Sequence, residues 1–288
     1  MPELPEVETV RRGLQTLIVN RTVKAVTHDT PKGFPNAPSD VQQFLIGATV
    51  TGVRRRAKVL LIDLSTDYTL VIHLKMTGQL VYRGEQVFGA GHPNDSLIGK
   101  LPDRSTRVTI TFSDDTHLFF NDQRKFGWMR LMPTLEVPNI DFMKKVGPEP
   151  LEADFTPEEF AARFTRRAKT SIKAVLLDQT IVAGVGNIYA DESLWGAKIH
   201  PKRLVGSITP AEFAVLYSEL RAVMNQAIEK GGSTDKNYLN AEGKRGNYLD
   251  FARAFRREGQ PCPRCGTEII KFKAAGRGTH ICPNCQQL

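Results

Sequence analysis

Cysteine is scarce and confined: the 288 residues hold four, all after position 260. That clustering excludes a disulfide framework spread along the chain. No apolar run approaches the ~18 residues that a membrane-spanning helix needs. The first eight residues include three acids, which is not the basic start of a secretory signal. The expected setting is cytoplasmic, nucleoid-associated if the source is bacterial. No stretch repeats at a fixed period, which argues against solenoids and propellers. Acids are the minority charge: Lys+Arg 39 against Asp+Glu 31 leaves +8, with a pI near 9.3. That balance favours a polyanionic partner, nucleic acid or an anionic membrane surface. At this length two domains are expected, each able to bury a core.

What is present begins at the N-terminus, Met1-Pro2-Glu3-Leu4-Pro5-Glu6-Val7-Glu8. Methionine ahead of a small residue is usually trimmed, so the mature chain is expected to start at the secondary amine of Pro2. A free α-amino group titrates at about 7.7–8.0, so part of it is nucleophilic near neutral pH. Condensed with a sugar aldehyde, a secondary amine gives an iminium with no N–H to lose, a lasting electron sink. The plainer account makes Pro5 the start of a helix whose dipole Glu3, Glu6 and Glu8 complement.

Apolar spacing predicts a helix over 7–18 and a short one over 39–46. Strands are predicted over 21–27, 49–55, 59–64, 70–74, 80–82, 108–112, 118–121 and 129–132. This half reads as two packed sheets edged by the first helix. Residues 84–104 show no periodicity and read as a long surface loop. The four prolines of 133–150 mark a linker. Beyond it, helices are predicted over 156–165, 171–178, 188–195 and 210–230. Two of these open on capping sequences, Thr156-Pro157-Glu158-Glu159 and Thr209-Pro210-Ala211-Glu212, and Gly231-Gly232 stops the last. The expected domains are 1–133, a linker over 134–150, a helical domain over 151–259 and a cysteine-bearing segment over 260–288.

The strongest spacing signal is Cys262-x-x-Cys265, sixteen residues, then Cys282-x-x-Cys285. Two such knuckles place four thiolates around one tetrahedral zinc, and four cysteine ligands leave no open position, so the metal is structural. The basic loop between them, with Arg277, could lie against nucleic acid or simply brace the C-terminus. Gly184-Val185-Gly186-Asn187 ahead of a helix forms a plausible phosphate site, or an ordinary tight turn. Arg166, Arg167, Lys169 and Lys173 upstream are either part of it or a solvated basic face. In the first half, Arg54-Arg55-Arg56-Ala57-Lys58, Met76 at a tight turn, and Asp122–Trp128 mix charge with aromatics at strand ends. Side chains so placed can wedge into a duplex, or merely pack.

Taken in order, these motifs resemble one family, formamidopyrimidine-DNA glycosylase (Fpg). They are Pro2 to Arg12, Lys58, His73 to Gly78, Arg124-Lys125-Phe126-Gly127, Gly147 to Leu151, Gly184 to Ala190 and the four cysteines. Leu4 distinguishes the pattern from the related endonuclease VIII. The resemblance implies an α+β fold: an N-terminal β-sandwich with flanking helices, and a C-terminal helix–two-turns–helix domain with a four-cysteine zinc-finger β-hairpin. It implies a monomeric bifunctional glycosylase/AP lyase acting on damaged double-stranded DNA. The expected substrates are oxidised purines, excised with β,δ-elimination, with one structural Zn2+, no catalytic metal and no membrane partner. Pro2 would attack C1′, Glu3 would manage protons at the sugar and Glu6 would support the N-terminus. Lys58 would donate a proton and contact phosphate, and Arg277 would contact phosphate and assist δ-elimination. Asn187 and Lys169 would hold backbone, while Met76, Arg124 and Phe126 would fill the void left by a flipped base. Ser105 stands where many members carry a DNA-contacting histidine. The 84–100 stretch looks longer than in compact members, and 243–248 matches a lesion-recognition loop loosely. Oxidised pyrimidines as substrate, a non-catalytic zinc-ribbon reader of damaged DNA, and an RNA-binding ribbon are the competing readings.

Overall fold

The computed structural model describes residues 1–92, 94–232 and 248–288. The chain divides into two compact units, Met1–Lys144 with Lys230–Asn247, and Lys145–Glu229 with Tyr248–Leu288.

The first unit opens on helix α1 (Leu4–Ile18), whose Leu4, Val7, Val10, Leu14, Leu17 and Ile18 are all buried. Proline at the first turn pre-sets its φ, and the helix starts at Leu4, three residues before the predicted span 7–18. The strands of the unit are β1 (Val23–His28), β2 (Val50–Arg56), β3 (Val59–Leu64), β4 (Tyr68–His73), β5 (Gly78–Arg83), β6 (Val87–Gly91), β7 (Thr106–Phe112), β8 (His117–Asp122) and β9 (Trp128–Pro133). They form two antiparallel sheets, ordered β1-β7-β8-β5-β6 and β2-β3-β4-β9. Residues from both sheets and from α1 share one core, including Val53, Leu60, Ile62, Ile72, Leu80, Val108, Ile110 and Phe120. The predicted sandwich edged by a helix is present.

Three segments differ locally from expectation. Residues 84–104 are not a bare loop: β6 pairs with β5 from Gln79↔Gly91 to Arg83↔Val87, and a helical turn follows at Asp95–Leu97. Glycine and alanine in β6 hide its alternation, because the strand is set by close neighbours and not by bulky side chains. Phe88 lies over Gly13 of α1, where a Cβ would meet the ring at 2.3 Å. The short helix expected at 39–46 is one α-turn, Pro38–Asp40, running into a π-helical segment, Val41–Leu45. The segment read as linker also carries helical turns, Thr134–Asn139 and Asp141–Lys145, with Val137 buried against Val59, Leu61 and Val71.

The second unit holds α2 (Pro157–Thr165), α3 (Ile172–Leu176), α4 (Asn187–Gly196) and α5 (Pro210–Glu229). Thr156 Oγ1 caps α2 by accepting from Glu159 N at 3.2 Å. Thr209 and Glu212 exchange such bonds reciprocally at the start of α5. Rings of Phe155, Phe160, Phe164, Phe213 and Tyr217 pack between α2 and α5. A two-stranded hairpin completes the unit, β10 (Ile270–Ala274) and β11 (Arg277–Ile281). Its turn residues Ala275 and Gly276 both have positive φ, as a tight I′ connection requires. No described helix is long and apolar enough to cross a membrane. Of the expected 243–248 loop, 243–247 lie outside the described residues, while Tyr248 is buried beside Tyr189.

Candidate active site and nucleic-acid contacts

In the first unit, Pro2 and Glu3 are buried at the head of α1. Glu3 is the N-cap residue, and its N–H donates to Glu6 Oε2 at 2.8 Å. Glu6 thus closes the helix start on itself, so the chain reaches Pro2 along a fixed path. One turn on, Glu8 accepts from Arg11 at 2.8 Å, Arg12 at 3.0 Å and Arg55 at 3.1 Å. Burial acts to raise the Glu8 pKa, but the Arg11 bond and the neighbouring guanidinium charges outweigh it and hold it below the ordinary value.

Arg55 Nη1 also donates to the carbonyl of Ala57, the first residue of the β2–β3 turn, at 3.0 Å. That turn is Ala57-Lys58, with Ala57 at φ 52° and Arg56 paired to Val59. One arginine therefore ties the helix that carries Pro2 and Glu3 to the turn that carries Lys58. Lys58 is itself buried, 6 % exposed. Across the sheet, His73 pairs in register with Val59 and accepts from Lys75 N through Nδ1 at 3.0 Å. Burial, with the charges of Lys75 and Lys58, pushes the His73 pKa down to about 3. This imidazole is neutral beside the lysine.

Two further turns of the same unit hold Met76, and Arg124 with Phe126. Asp122, wholly buried at the end of β8, joins them. Its Oδ1 accepts from Thr77 Oγ1 and, at 3.2 Å, from Arg124 N, while Oδ2 accepts from Gly127 N at 2.6 Å. Arg124 N also donates to Thr77 Oγ1 at 3.0 Å. Held this way, Arg124 and Phe126 project outward, the guanidinium 4.9 Å over the ring, with Phe126 48 % exposed. An exposed cation–aromatic pair on a rigid turn is suited to stacking on bases.

In the second unit, Gln179 clamps the glycine turn, accepting from Gly184 N at 2.9 Å and donating to Val185 O at 2.8 Å. The turn delivers Asn187 to the first position of α4, where Nδ2 donates to Gly278 O at 2.9 Å. Arg166, Arg167, Lys169 and Arg277 are exposed. The four cysteine sulfurs converge within 4.8 Å of one another. Cys265 Sγ stands 3.4 Å from Cys282 Sγ and 3.5 Å from Cys285 Sγ. Thiolates around one tetrahedral cation with bonds of about 2.3 Å lie roughly 3.8 Å apart, so the donors fit a zinc-sized ion. Trp195, Ala254 and Ile269 shield the cluster on its inner side.

Comparison with known families covers almost the whole chain. The Formamidopyrimidine-DNA glycosylase N-terminal domain matches residues 1–129. The Formamidopyrimidine-DNA glycosylase H2TH domain matches 146–238, and the zinc finger found in FPG and IleRS matches 259–288. The chain belongs to the formamidopyrimidine-DNA glycosylase family. It is 42 % identical to the formamidopyrimidine-DNA glycosylase of Pelotomaculum thermopropionicum over 289 residues, covering all of both chains. Wild-type Lactococcus lactis Fpg, solved with an N7-benzyl-Fapy-dG containing DNA, superposes with TM-score 0.86 at 36 % identity over both full chains. A MutM structure with carbocyclic 8-oxo-G containing DNA gives TM-score 0.85, again at 36 % identity and full coverage of both.

Within this Fpg fold, the expected α+β architecture with its H2TH helices and four-cysteine finger is present. Ser105 is 3 % exposed, and its Oγ donates to Asp103 Oδ1 at 2.6 Å and meets Ser96 Oγ at 3.1 Å. These bonds brace the 94–105 segment. Lys173 departs from the solvated-face alternative: it is wholly buried, unlike Lys169. Asp122, Thr77 and Arg55 carry more of the site than their sequence positions suggest. The available signal was a carboxylate ending an apolar strand just before a charged–aromatic turn, and that pattern is equally common in solvent.

Proposed function

We propose that this Fpg-family chain excises oxidised purines, 8-oxoguanine and formamidopyrimidines, from duplex DNA and then cleaves the abasic strand. The relatives solved with Fapy-dG and 8-oxo-G DNA support the lesion class. The observation that carries the chemistry is the Glu8–Arg55–Ala57 link, which holds the Pro2–Glu3 helix start against the Lys58 turn. Once Met1 is removed, the Pro2 amine attacks C1′ and the glycosidic bond breaks as the base leaves. Glu3 handles the protons at the sugar, and Lys58 supplies a proton and a phosphate contact. The C1′–O4′ bond of the resulting aminal then breaks as O4′ takes a proton, and the iminium so formed is the electron sink for β-elimination, so the reading calls for no catalytic metal. Arg277 beside the next phosphate assists the δ step. Asn187 and Lys169 hold backbone, and Met76, Arg124 and Phe126 occupy the vacated stack. Zinc at Cys262, Cys265, Cys282 and Cys285 would be structural, fixing the finger that bears Arg277. The enzyme would act as a cytoplasmic monomer. About five to eight phosphate contacts would give a log–log salt dependence near −5 to −7.

The test is borohydride reduction of the protein with a labelled duplex containing 8-oxoguanine opposite cytosine. A covalent band is expected, lost in Pro2→Gly with the fold intact. Absence of the band in a sample whose intact mass shows Met1 removed would refute the assignment. Faster excision from a thymine-glycol duplex than from the 8-oxoguanine duplex would move the substrate to oxidised pyrimidines.

A further inference from the structure

Lys173 on α3 and Asp191 on α4 are both wholly buried, with Nζ 2.6 Å from Oδ1. A buried ion pair repays its desolvation only when its remaining donors and acceptors are satisfied. Strand β11 supplies partners to both residues. Lys173 Nζ donates to Thr279 Oγ1 at 2.7 Å, and Thr279 Oγ1 donates to the Arg277 carbonyl at 3.1 Å. Asp191 Oδ2 accepts from His280 N at 2.9 Å and lies 3.2 Å from His280 Nδ1. Just before Thr279, the Gly278 carbonyl accepts from Asn187.

The three residues that follow Arg277 are therefore each gripped by a side chain of α3 or α4. The need for such anchoring is physical. A two-stranded hairpin has marginal stability alone, and Arg277 begins one strand of a two-stranded sheet. Its side chain is exposed, so the backbone of β11 decides where the guanidinium starts from. The cysteines lie at the other end of the hairpin and do not set that register by themselves.

We propose that Lys173, Asp191 and Thr279 are positioning residues that hold the Arg277 backbone against the N-terminus of α4, and through it govern the second elimination. The proposal rests on the reading of Arg277 given above. In that step C4′ loses a proton, the C5′–O bond breaks and the phosphate on C5′ leaves as an anion. A displaced guanidinium would slow it while leaving the Pro2 chemistry and β-elimination intact.

The experiment uses the full-length zinc-loaded chain on an end-labelled duplex with one abasic site. The 3′-unsaturated aldehyde from β-elimination is separated from the 3′-phosphate of the δ product. Lys173→Met with Asp191→Leu removes both charges together, so that neither is left buried alone. Thr279→Val removes only the hydroxyl relay, and Arg277→Ala is the reference. The δ-to-β ratio should fall about tenfold in the double variant and about threefold in Thr279→Val. Zinc content and borohydride trapping should remain at wild-type levels. If the double variant loses zinc or fold, Thr279→Val decides alone. A wild-type ratio in Thr279→Val, or in a folded double variant, while Arg277→Ala lowers it, overturns the positioning role. A wild-type ratio in Arg277→Ala refutes the reading of Arg277, and this proposal with it.

Discussion

Replacing Gly13 by alanine inverts an ordinary expectation. In a helix interior, Gly→Ala stabilises by about 1 kcal/mol, because it reduces backbone freedom in the unfolded chain and raises helix propensity. In this fold the added Cβ would stand 2.3 Å from Phe88 Cε2 and Cζ and 2.9 Å from Cδ2. Ordinary carbon contacts are about 3.5–4.0 Å, so the ring or the helix must move by more than an ångström. Phe88 is 1 % exposed inside the core that α1 shares with both sheets, and cannot swing out to water. Overpacking of that kind costs about 1–3 kcal/mol and outweighs the propensity gain. Gly13→Ala should therefore destabilise the first unit by up to about 2 kcal/mol. The assay is urea unfolding followed through Trp128, the one tryptophan of that unit. In a Phe88→Leu background the clashing ring atoms are gone, and the same substitution should become neutral or stabilising. The cycle should show a coupling of about 2 kcal/mol. A stabilising Gly13→Ala in the wild-type background would mean that β6 does not pack on α1, and that 84–104 is the loop its sequence suggested.

Other outcomes follow from the same geometry. Arg55→Met should cost at least about 2 kcal/mol through loss of the charged bond to Glu8 and the neutral bond to the Ala57 carbonyl, since Arg11 and Arg12 still neutralise Glu8. It should also slow borohydride-trapped adduct formation about tenfold or more through loosening of the Lys58 turn, with zinc content unchanged; wild-type trapping kinetics would remove Arg55 from the site's framework. His73, held neutral with its pKa near 3, gains protons more readily when unfolded. Its stabilising contribution is thus complete above about pH 6.5 and is lost as pH falls from there towards 3, by up to about 1.4 kcal/mol per pH unit. His73→Asn, which can still accept from Lys75 N, should flatten that part of the acid limb in urea titrations at pH 7, 6 and 5; parallel limbs would contradict the burial argument. Cys282→Ser, or chelation, should release the metal measured by mass spectrometry and abolish duplex binding, while the first unit's unfolding followed through Trp128 remains unchanged.

Much of this was legible from residue order. The capped starts Thr156–Glu159 and Thr209–Glu212 announce α2 and α5 because capping is a local interaction between residues three apart. The cysteine knuckles announce a metal cluster because thiolate spacing is likewise local. β6 was not legible: Gly89, Ala90 and Gly91 carry no β-branched signal, and their small size answers to Phe88 over Gly13 and to the neighbouring strand. Nor does residue order show that the Ser105 hydroxyl bonds both Asp103 and, nine residues back, Ser96.

The sequence by itself determined the family, the two-part organisation, the nucleophile candidate at Pro2 and the metal ligands. Each of these is written in short motifs whose chemistry depends on residue type and near-neighbour spacing. Only the tertiary structure decided which charges are solvated and which are structural. Lys169 and Lys173 are four residues apart in one basic run, yet one is exposed and the other wholly buried against Asp191. Burial depends on what the rest of the chain packs over a side chain. Asp191 lies 18 residues from Lys173, and Thr279 lies 106. No local pattern encodes contacts over that separation, and they arise only when the helices and the hairpin meet.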